Sequence, residues 1–515
     1  MDGRESMFTL WFLLVAVLTA SAQEPLRPQC SAGRHPRKAA LLSRRAAGDD
    51  QREGLFIGEK RQLVFLAAFN DLTFKEEDPQ AFWNKVFNEE QFAESPFHGS
   101  VHDYFSAQSY GQFQLHFDLY LVTLPKEHAV YKSGYIGGTA DDSGAGLLLT
   151  ELLDAAKDDI PDWSVYDWDD DGNVDQVLIL FAGKGQNDGG DMTTIWSHQW
   201  CLSEQSESPF NREWGHPYKV VSGEKEYLVD RYGAFPELSG SGDYGSFGTL
   251  CHEYGHCLGL PDFYYGNSAK VVGSWDIMDY GNYNQGGYCP PGYSAHERMY
   301  LGWLDAGELT EAASVKDMAA LSERGEAYLI RSDAVPNEFY VVENRQQTGW
   351  DASLPGSGVL IFHIDYDEEV WRTGIPNSNK LKRYTLFHAN NETFVSSDSW
   401  RNWAYPYGEN NALTNDSQPA ATLNNENIDG TKLMSKPVTR IAVQEGLASF
   451  DFMGGATGIR NVNVNDNLND NDNDNVNDNG SWFTVDGLRL SGSRLSGGVY
   501  VVRDRNGKVK KIVLR

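Results

Sequence analysis

The sequence predicts an α+β domain, then a β-sandwich domain, then a small C-terminal β module. Three observations carry this prediction. From about residue 60 to 306, continuous apolar runs such as Gln62–Phe69 (QLVFLAAF) and Val177–Phe181 alternate with stretches of helical length such as the Leu- and Ala-rich Ser143–Lys157. From about 307 to 453, the runs become short and β-branched or alternating, with Gly, Pro and Asn turns between them. A tract of almost only Asn, Asp and Val, 461–480, then sets apart the last residues, 482–515.

At 515 residues the chain is long enough for two or three domains, each with its own core. Its formal net charge of −30 excludes the basic footprint that nucleic-acid binding needs. Five cysteines are too few for a disulfide scaffold. Cys251 and Cys257 are six apart on one helix and cannot bridge each other. Cys201 and Cys289 remain candidates to pair with one of them each, the alternative being buried free thiols.

Residues 1–22 read as a secretory signal. The apolar run Phe8–Leu18 is too short to span a bilayer and ends in Ala20-Ser21-Ala22, a small-x-small cleavage pattern. Residues 23–58 are polar and locally basic (Arg34, Arg37, Lys38), and read as a propeptide or leader that can be cut at Arg44-Arg45. A thiolate from Cys30 in this leader could keep a downstream metal centre latent. The folded part then begins with the strand at 62–69. Residues 81–86 fit part of a helix. Ser100 fits the N-cap of another, SVHDYFS, and Gly111 opens a strand, Gln112–Leu124. His98, His102 and His116 are isolated and read as structural. After the helix at 143–157 comes DWDDDGNVD, in which Asp167, Asp169, Asp171 and Asp175 with Asn173 and Gly172 have the spacing of a calcium loop. Leu178 stands where an EF-hand has its bidentate Glu, and a strand follows instead of a helix, so a Ca2+ loop of another context is expected. The loop Gly183–Gly190 lacks a GK[ST] ending and is no phosphate loop. His198 reads as a satisfied structural histidine. Residues 203–245 read as loops and a hairpin, and Ser239–Ser246 as a Gly/Ser entry into the next helix.

That helix carries His252-Glu253-Tyr254-Gly255-His256. Two histidines four apart lie on one helix face, so both imidazoles can reach one metal ion. Glu253 sits beside the metal and can take a proton from a water there, then pass it to a leaving amine. Gly259 can adopt positive φ and end the helix, Pro261 stops any continuation, and Asp262 can swing back as a third ligand. Three protein ligands and an open fourth position are the design of a catalytic zinc site. In Asp276-Ile277-Met278-Asp279-Tyr280, Met278 can form an apolar floor under the ligands, and Tyr280 can donate its hydroxyl to an oxyanion.

With these residues the chain resembles the immune inhibitor A family of secreted metallopeptidases, in the metzincin group. HEYGHCLGLPD fits HExxHxxGxxD, DIMDY fits the family's Met-turn, and the resemblance spans roughly 60–453. It extends to SYGQF at 109–113 and to FYVVENRQQTGWDASLPGSGVLIFHID at 339–365. The resemblance implies a metzincin-like fold, with His252, His256 and Asp262 as Zn2+ ligands and Glu253 as general base. It also implies Met278 as the Met-turn residue and Tyr280 as a transition-state stabiliser. An Asp third ligand, where many metzincins have His, agrees with this family.

Residues 281–303 read as a loop and short helix closing the catalytic unit, with His296 a weaker metal candidate than Asp262. The Asn/Asp tract reads as a hydrated linker. In the basic final segment, Val499–Arg503 and Lys508–Leu514 are strand-like, with an Asn506-Gly507 turn between them. This segment resembles the sorting tails of type IX secretion in Bacteroidetes-like bacteria. The expected organisation is therefore signal 1–22, propeptide or leader 23–58, zinc metallopeptidase domain 59–306, β-sandwich 307–455, linker 456–481 and sorting-like module 482–515. The expected protein is a secreted or cell-surface zinc endopeptidase acting on protein or peptide substrates. It has no stable membrane span in the mature chain and reaches a secretion machinery through its tail. The alternative is a calcium-stabilised surface binding protein with a structural or inactive zinc centre.

Overall fold

In the computed structural model, the described residues are 55–455, apart from 137–138, 142, 204–214, 246, 265–270, 372, 379–380 and 393–398, together with the strands at 481–484, 489–490, 498–503 and 509–514. The expected signal, most of the leader, Cys30 and nearly all of the linker lie outside them.

A five-stranded sheet organises the first half. Its strands are β1 (Gly58–Ala68), β2 (Phe113–Thr123), β3 (Val177–Lys184), β4 (His198–Cys201) and β5 (Arg231–Leu238). The order is β2-β1-β3-β5-β4. The first four in that order are parallel, and β4 pairs antiparallel with β5 at the edge. Helices cover both faces, which is why β1 and β3 read as unbroken apolar runs. Alternation still decides which face each residue serves. Leu63, Phe65 and Ala67 join Leu148, Leu149, Leu152 and Leu153 of α3 (Ser143–Ala156) in one core. Val64, Leu66 and Ala68 join a second core with α1 (Pro79–Asn88), α2 (Val101–Gln108) and α4 (Phe247–Cys257). Ser100 caps α2 by accepting from the Asp103 amide at 3.0 Å, and the Asp103 side chain accepts from the Ser100 amide, as a capping box requires.

The second half is built on two sheets. One is β6 (Gly307–Glu308), β8 (Ala327–Arg331), β9 (Glu338–Arg345), β10 (Gly358–Asp365) and β11 (Tyr384–Leu386), in the order β6-β8-β9-β10-β11. The other is β7 (Ala313–Met318), β12 (Val438–Gln444) and β13 (Leu447–Phe452), with β13 central. Tyr340, Val342, Val359 and Ile361 of the larger sheet share a core with Val315, Val438, Ile441 and Phe450 of the smaller. The opposite face, with Phe339, Val341, Leu360, Phe362 and Ile364, belongs to the core that holds α4. The larger sheet is thus buried on both sides, and one of those sides is the underside of the first half.

A buried ionic cluster crosses the same junction. Arg345 of β9 bonds Asp351 Oδ1 at 2.6 Å, Glu343 Oε1 at 3.1 Å and the Gly292 carbonyl at 2.9 Å. Glu343 Oε2 accepts from the Ala295 amide at 2.6 Å, at the start of α5 (Ala295–Leu301). Burial alone would lower the Arg345 pKa; the two carboxylates overcome it and hold the guanidinium above its ordinary value.

Cys201 is disulfide-bonded, while Cys251, Cys257 and Cys289 are buried thiols outside any disulfide. Of the two alternatives left open above, pairing of Cys201 or Cys289 with Cys251 or Cys257 does not occur, and the buried thiols stand unbridged. The helix that holds Cys251 and Cys257 is buried on almost every side, so these small apolar thiols serve as packing. At the C-terminus, β14 (Ser481–Thr484), β15 (Arg489–Leu490), β16 (Gly498–Arg503) and β17 (Val509–Leu514) form an antiparallel sheet in the order β15-β14-β16-β17. No helix among the described residues is long and apolar enough to cross a membrane.

Candidate metal centre

Helix α4 lies between the first sheet and the chain that follows it, and all its residues except His256 are buried. Gly255 leaves room for the side chains packed on the helix. A Cβ there would stand 2.8 Å from Met278 Sδ and 3.0 Å from the Tyr293 hydroxyl. Met278, fully buried, therefore sits directly against the helix beside His256. After the helix, Gly259 takes φ +97° and its amide bonds the His256 carbonyl at 2.9 Å. A side chain would be strained at that φ, and the turn reverses the chain within three residues. Asp262 thereby returns to the helix face.

The three side chains meet at one point. His252 Nε2 lies 3.1 Å and His256 Nε2 3.2 Å from Asp262 Oδ1. Their other ring nitrogens are anchored to carbonyls: His252 Nδ1 to Ile277 O at 2.7 Å, and His256 Nδ1 to Leu260 O at 2.8 Å. Those carbonyls can only accept, so each Nδ1 carries the proton in the neutral ring and each Nε2 lone pair faces the common point. Two ligands about 2.0–2.1 Å from one tetrahedral ion stand roughly 3.3–3.4 Å apart. The observed spacings come within a few tenths of an ångström of that, so the donor set fits zinc by both chemistry and geometry. Asp262 Oδ2 accepts from the Tyr264 hydroxyl at 3.0 Å. Without a metal, the group is a charged knot. Burial would depress the His252 pKa, but the bond and charge of Asp262 push it up to about 9. Burial works against the Asp262 carboxylate, yet the two imidazoles hold it well below the usual carboxylate range.

The turn below is equally fixed. Asp276 Oδ1 accepts from the Met278 amide at 2.8 Å. Asp279 Oδ2 accepts from the amides of Val271, Val272 and Gly273 at 2.7–2.8 Å. Glu253 is buried on α4 next to His252. Tyr280 is half-buried, its ring centroid 5.0 Å from that of Tyr283 and 5.7 Å from that of Trp400 in the second half. His296 is not in the metal group: it is buried near Phe339, Trp371 and Tyr384, and burial lowers its pKa to about 4. His198 is buried, with Nδ1 2.7 Å from Trp196 O and Nε2 3.2 Å from the Tyr232 hydroxyl. His102 Nδ1 lies 2.7 Å from Leu115 O.

In the acidic loop, Asp167, Asp169 and Asp171 can each offer an oxygen within 4.8 Å of the others. Gly172 has φ +85°. Asp167 Oδ1 and Oδ2 accept from the amides of Asp171 and Gly172 at 3.1 and 2.9 Å. Asn173 donates to Asp171 Oδ1 at 3.0 Å, and Asp175 Oδ2 accepts from the Trp168 amide at 2.6 Å. Tyr264, two residues past Asp262, is a partner that the local sequence could have revealed, because its hydroxyl needs only one turn of chain to meet that carboxylate. Trp400, by contrast, comes from a distant segment and carries no local signal.

Residues 63–306 match the family described as immune inhibitor A peptidase M6, catalytic domain. The pre-pro-metalloprotease PrtV of Vibrio cholerae serotype O1 is 25% identical over 309 residues, covering 53% of this chain and 30% of that protein. Immune inhibitor A of Bacillus thuringiensis subsp. alesti is 28% identical over 285 residues, covering 48% of this chain and 40% of that protein. The chain thus spans less than half the length of the curated relatives it matches.

Proposed function

We propose that a chain with an M6-type peptidase domain at 63–306 is a zinc-dependent endopeptidase acting on extracellular proteins. The observation that carries the reading is the meeting of His252 Nε2, His256 Nε2 and Asp262 Oδ1, with Glu253 next on the same helix. When bound by these three residues, zinc supplies an acidified water and an electrophile for the scissile carbonyl. The chain's own residues do the rest. The carbonyls of Ile277 and Leu260 hold both imidazoles in the tautomer that presents Nε2. Glu253 accepts the proton of the attacking water and returns it to the leaving amine. Tyr280, from the end of the turn, donates its hydroxyl to the developing oxyanion. Met278 keeps the floor dry and rigid.

The same reading assigns 1–22 to a signal, 23–58 to a leader, 59–306 to the catalytic unit, 307–455 to a β-sandwich, and 456–515 to a linker and sorting-like module, with the mature protein secreted or held at the cell surface. A direct test is cleavage of casein by the purified protein. Activity should vanish on addition of a zinc chelator and return with stoichiometric zinc; cleavage indifferent to the chelator would end the proposal. In the acidic loop, Asp167, Asp169 and Asp171, with Asn173 and Asp175 close by, form a Ca2+ site that braces the loop beside the sheet. Millimolar calcium should then raise the thermal midpoint, because an ion that binds only the folded state stabilises it. No change, or the same change in Asp169→Asn, would remove calcium from the account.

A further inference from the structure

We infer that the second half of the chain completes the metal centre through two positioning residues, Asn377 and Tyr384. The inference rests on the zinc reading above and extends it to a segment more than a hundred residues downstream of the ligands.

The third ligand sits on a short stretch gripped from both sides. The Asp262 amide donates to Gly374 O at 2.8 Å. Asn377 Nδ2 donates to Phe263 O at 2.7 Å, across 114 residues of sequence. Phe263 also donates its amide to Met278 O at 2.9 Å, which links the ligand segment to the turn beneath the histidines. Tyr384 stacks on the Phe263 ring with centroids 3.6 Å apart and planes 10° off parallel. Its hydroxyl donates to Asp276 Oδ2 at 2.7 Å and lies 2.8 Å from Ser294 Oγ, which can donate to it in turn. Asp276 is the residue whose other oxygen holds the Met278 amide. One strand of the second half therefore holds both the chain carrying the third ligand and the turn whose Ile277 carbonyl orients His252.

Asn377 is itself fully engaged. Its Nδ2 donates to Phe263 O and to Tyr384 O, both at 2.7 Å. Its Oδ1 accepts from the amides of Arg383 and Tyr384 at 2.8 and 3.0 Å. Two donors and two acceptor positions are all an amide has, and each is used inside the fold, where Asn377 and Tyr384 are fully buried. The side chain closes its own loop and spends its remaining proton on the residue next to the ligand. A ligand carboxylate held in place before the ion arrives loses little freedom on binding, and partners that orient ligands typically govern metal affinity by about 10–100-fold.

The test is zinc affinity of the full chain, measured by competition with a chromophoric chelator, together with the visible spectrum of the cobalt-loaded protein. Asn377→Leu removes the clamp on Phe263. Tyr384→Phe keeps the stacked ring and removes only the hydroxyl, with its bond to Asp276 and its contact with Ser294. Tyr340→Phe serves as the comparison: it deletes a 2.7 Å bond to Thr422 O on the far face of the same sheet and touches nothing near the ligands. Asn377→Leu is expected to weaken zinc about 10–100-fold and Tyr384→Phe about 10-fold, with altered cobalt bands, while Tyr340→Phe stays within twofold of the parent. If both variants bind zinc as Tyr340→Phe does, the positioning role is overturned and the zinc reading stands. If the parent chain takes up no zinc, the zinc reading falls and this inference with it. Should Asn377→Leu lose its near-ultraviolet circular dichroism, Tyr384→Phe decides alone.

Discussion

Glu253→Gln is expected to lower the rate of casein cleavage by about 10²–10⁴-fold while leaving one zinc per chain. The substitution keeps the shape of a buried side chain and removes its ability to accept a proton. None of the three groups that converge on the metal position is touched. The loss should therefore appear in kcat more than in KM, because proton transfer belongs to the transition state and not to substrate binding. Zinc content measured on the same preparation separates lost chemistry from lost metal. Normal cleavage by the zinc-loaded variant would remove Glu253 from the mechanism.

Asp262→Asn should show the opposite pattern: zinc is lost, and activity goes with it. On the proposed reading, the carboxylate is one of three protein ligands and carries the only negative charge among them. It also stands between two imidazoles at 3.1 and 3.2 Å, so its removal uncouples both. In the metal-free variant, His252 loses the bond and the charge of Asp262 that offset its burial, and its pKa should fall from about 9. A loss of zinc affinity beyond the roughly 100-fold typical of outer partners is expected, read as metal content after dialysis against a weak chelator. Unchanged metal content would take Asp262 out of the ligand set.

The convergence of His252, His256 and Asp262 was legible in the sequence because it is local. Eleven residues hold both histidines, the glycine turn and the aspartate, and helical period plus one positive φ suffices to bring them together. The strand at 62–69, the capped helix after Ser100 and the helix from Ser143 were legible for the same reason: each is written in its own residues, as an apolar run, a cap or a leucine period. The supports of the site were not. Asn377, Tyr384 and Gly374 reach Asp262 and Phe263 across more than a hundred residues, and an asparagine or a tyrosine in a β-rich region carries no mark of where its proton goes. The bonding of Cys201 was equally hidden, since spacing ruled out only the Cys251–Cys257 pair and chose no partner among the rest.

The strand β1 has a consequence for how the chain tolerates change. Neighbouring residues on it serve different cores: Leu63, Phe65 and Ala67 face the layer of α3, and Val64, Leu66 and Ala68 face the layer of the metal helix. The sheet therefore acts as a partition between two sets of substitutions. A change of volume at Phe65 presses on the leucines of α3 and is absorbed or rejected there. A change of similar size at Val64 is transmitted to the layer containing Tyr254, one residue from Glu253 and two from each of His252 and His256. Drift in this protein is thus free to repack one layer at a time, and the layer nearer the chemistry has the narrower allowance.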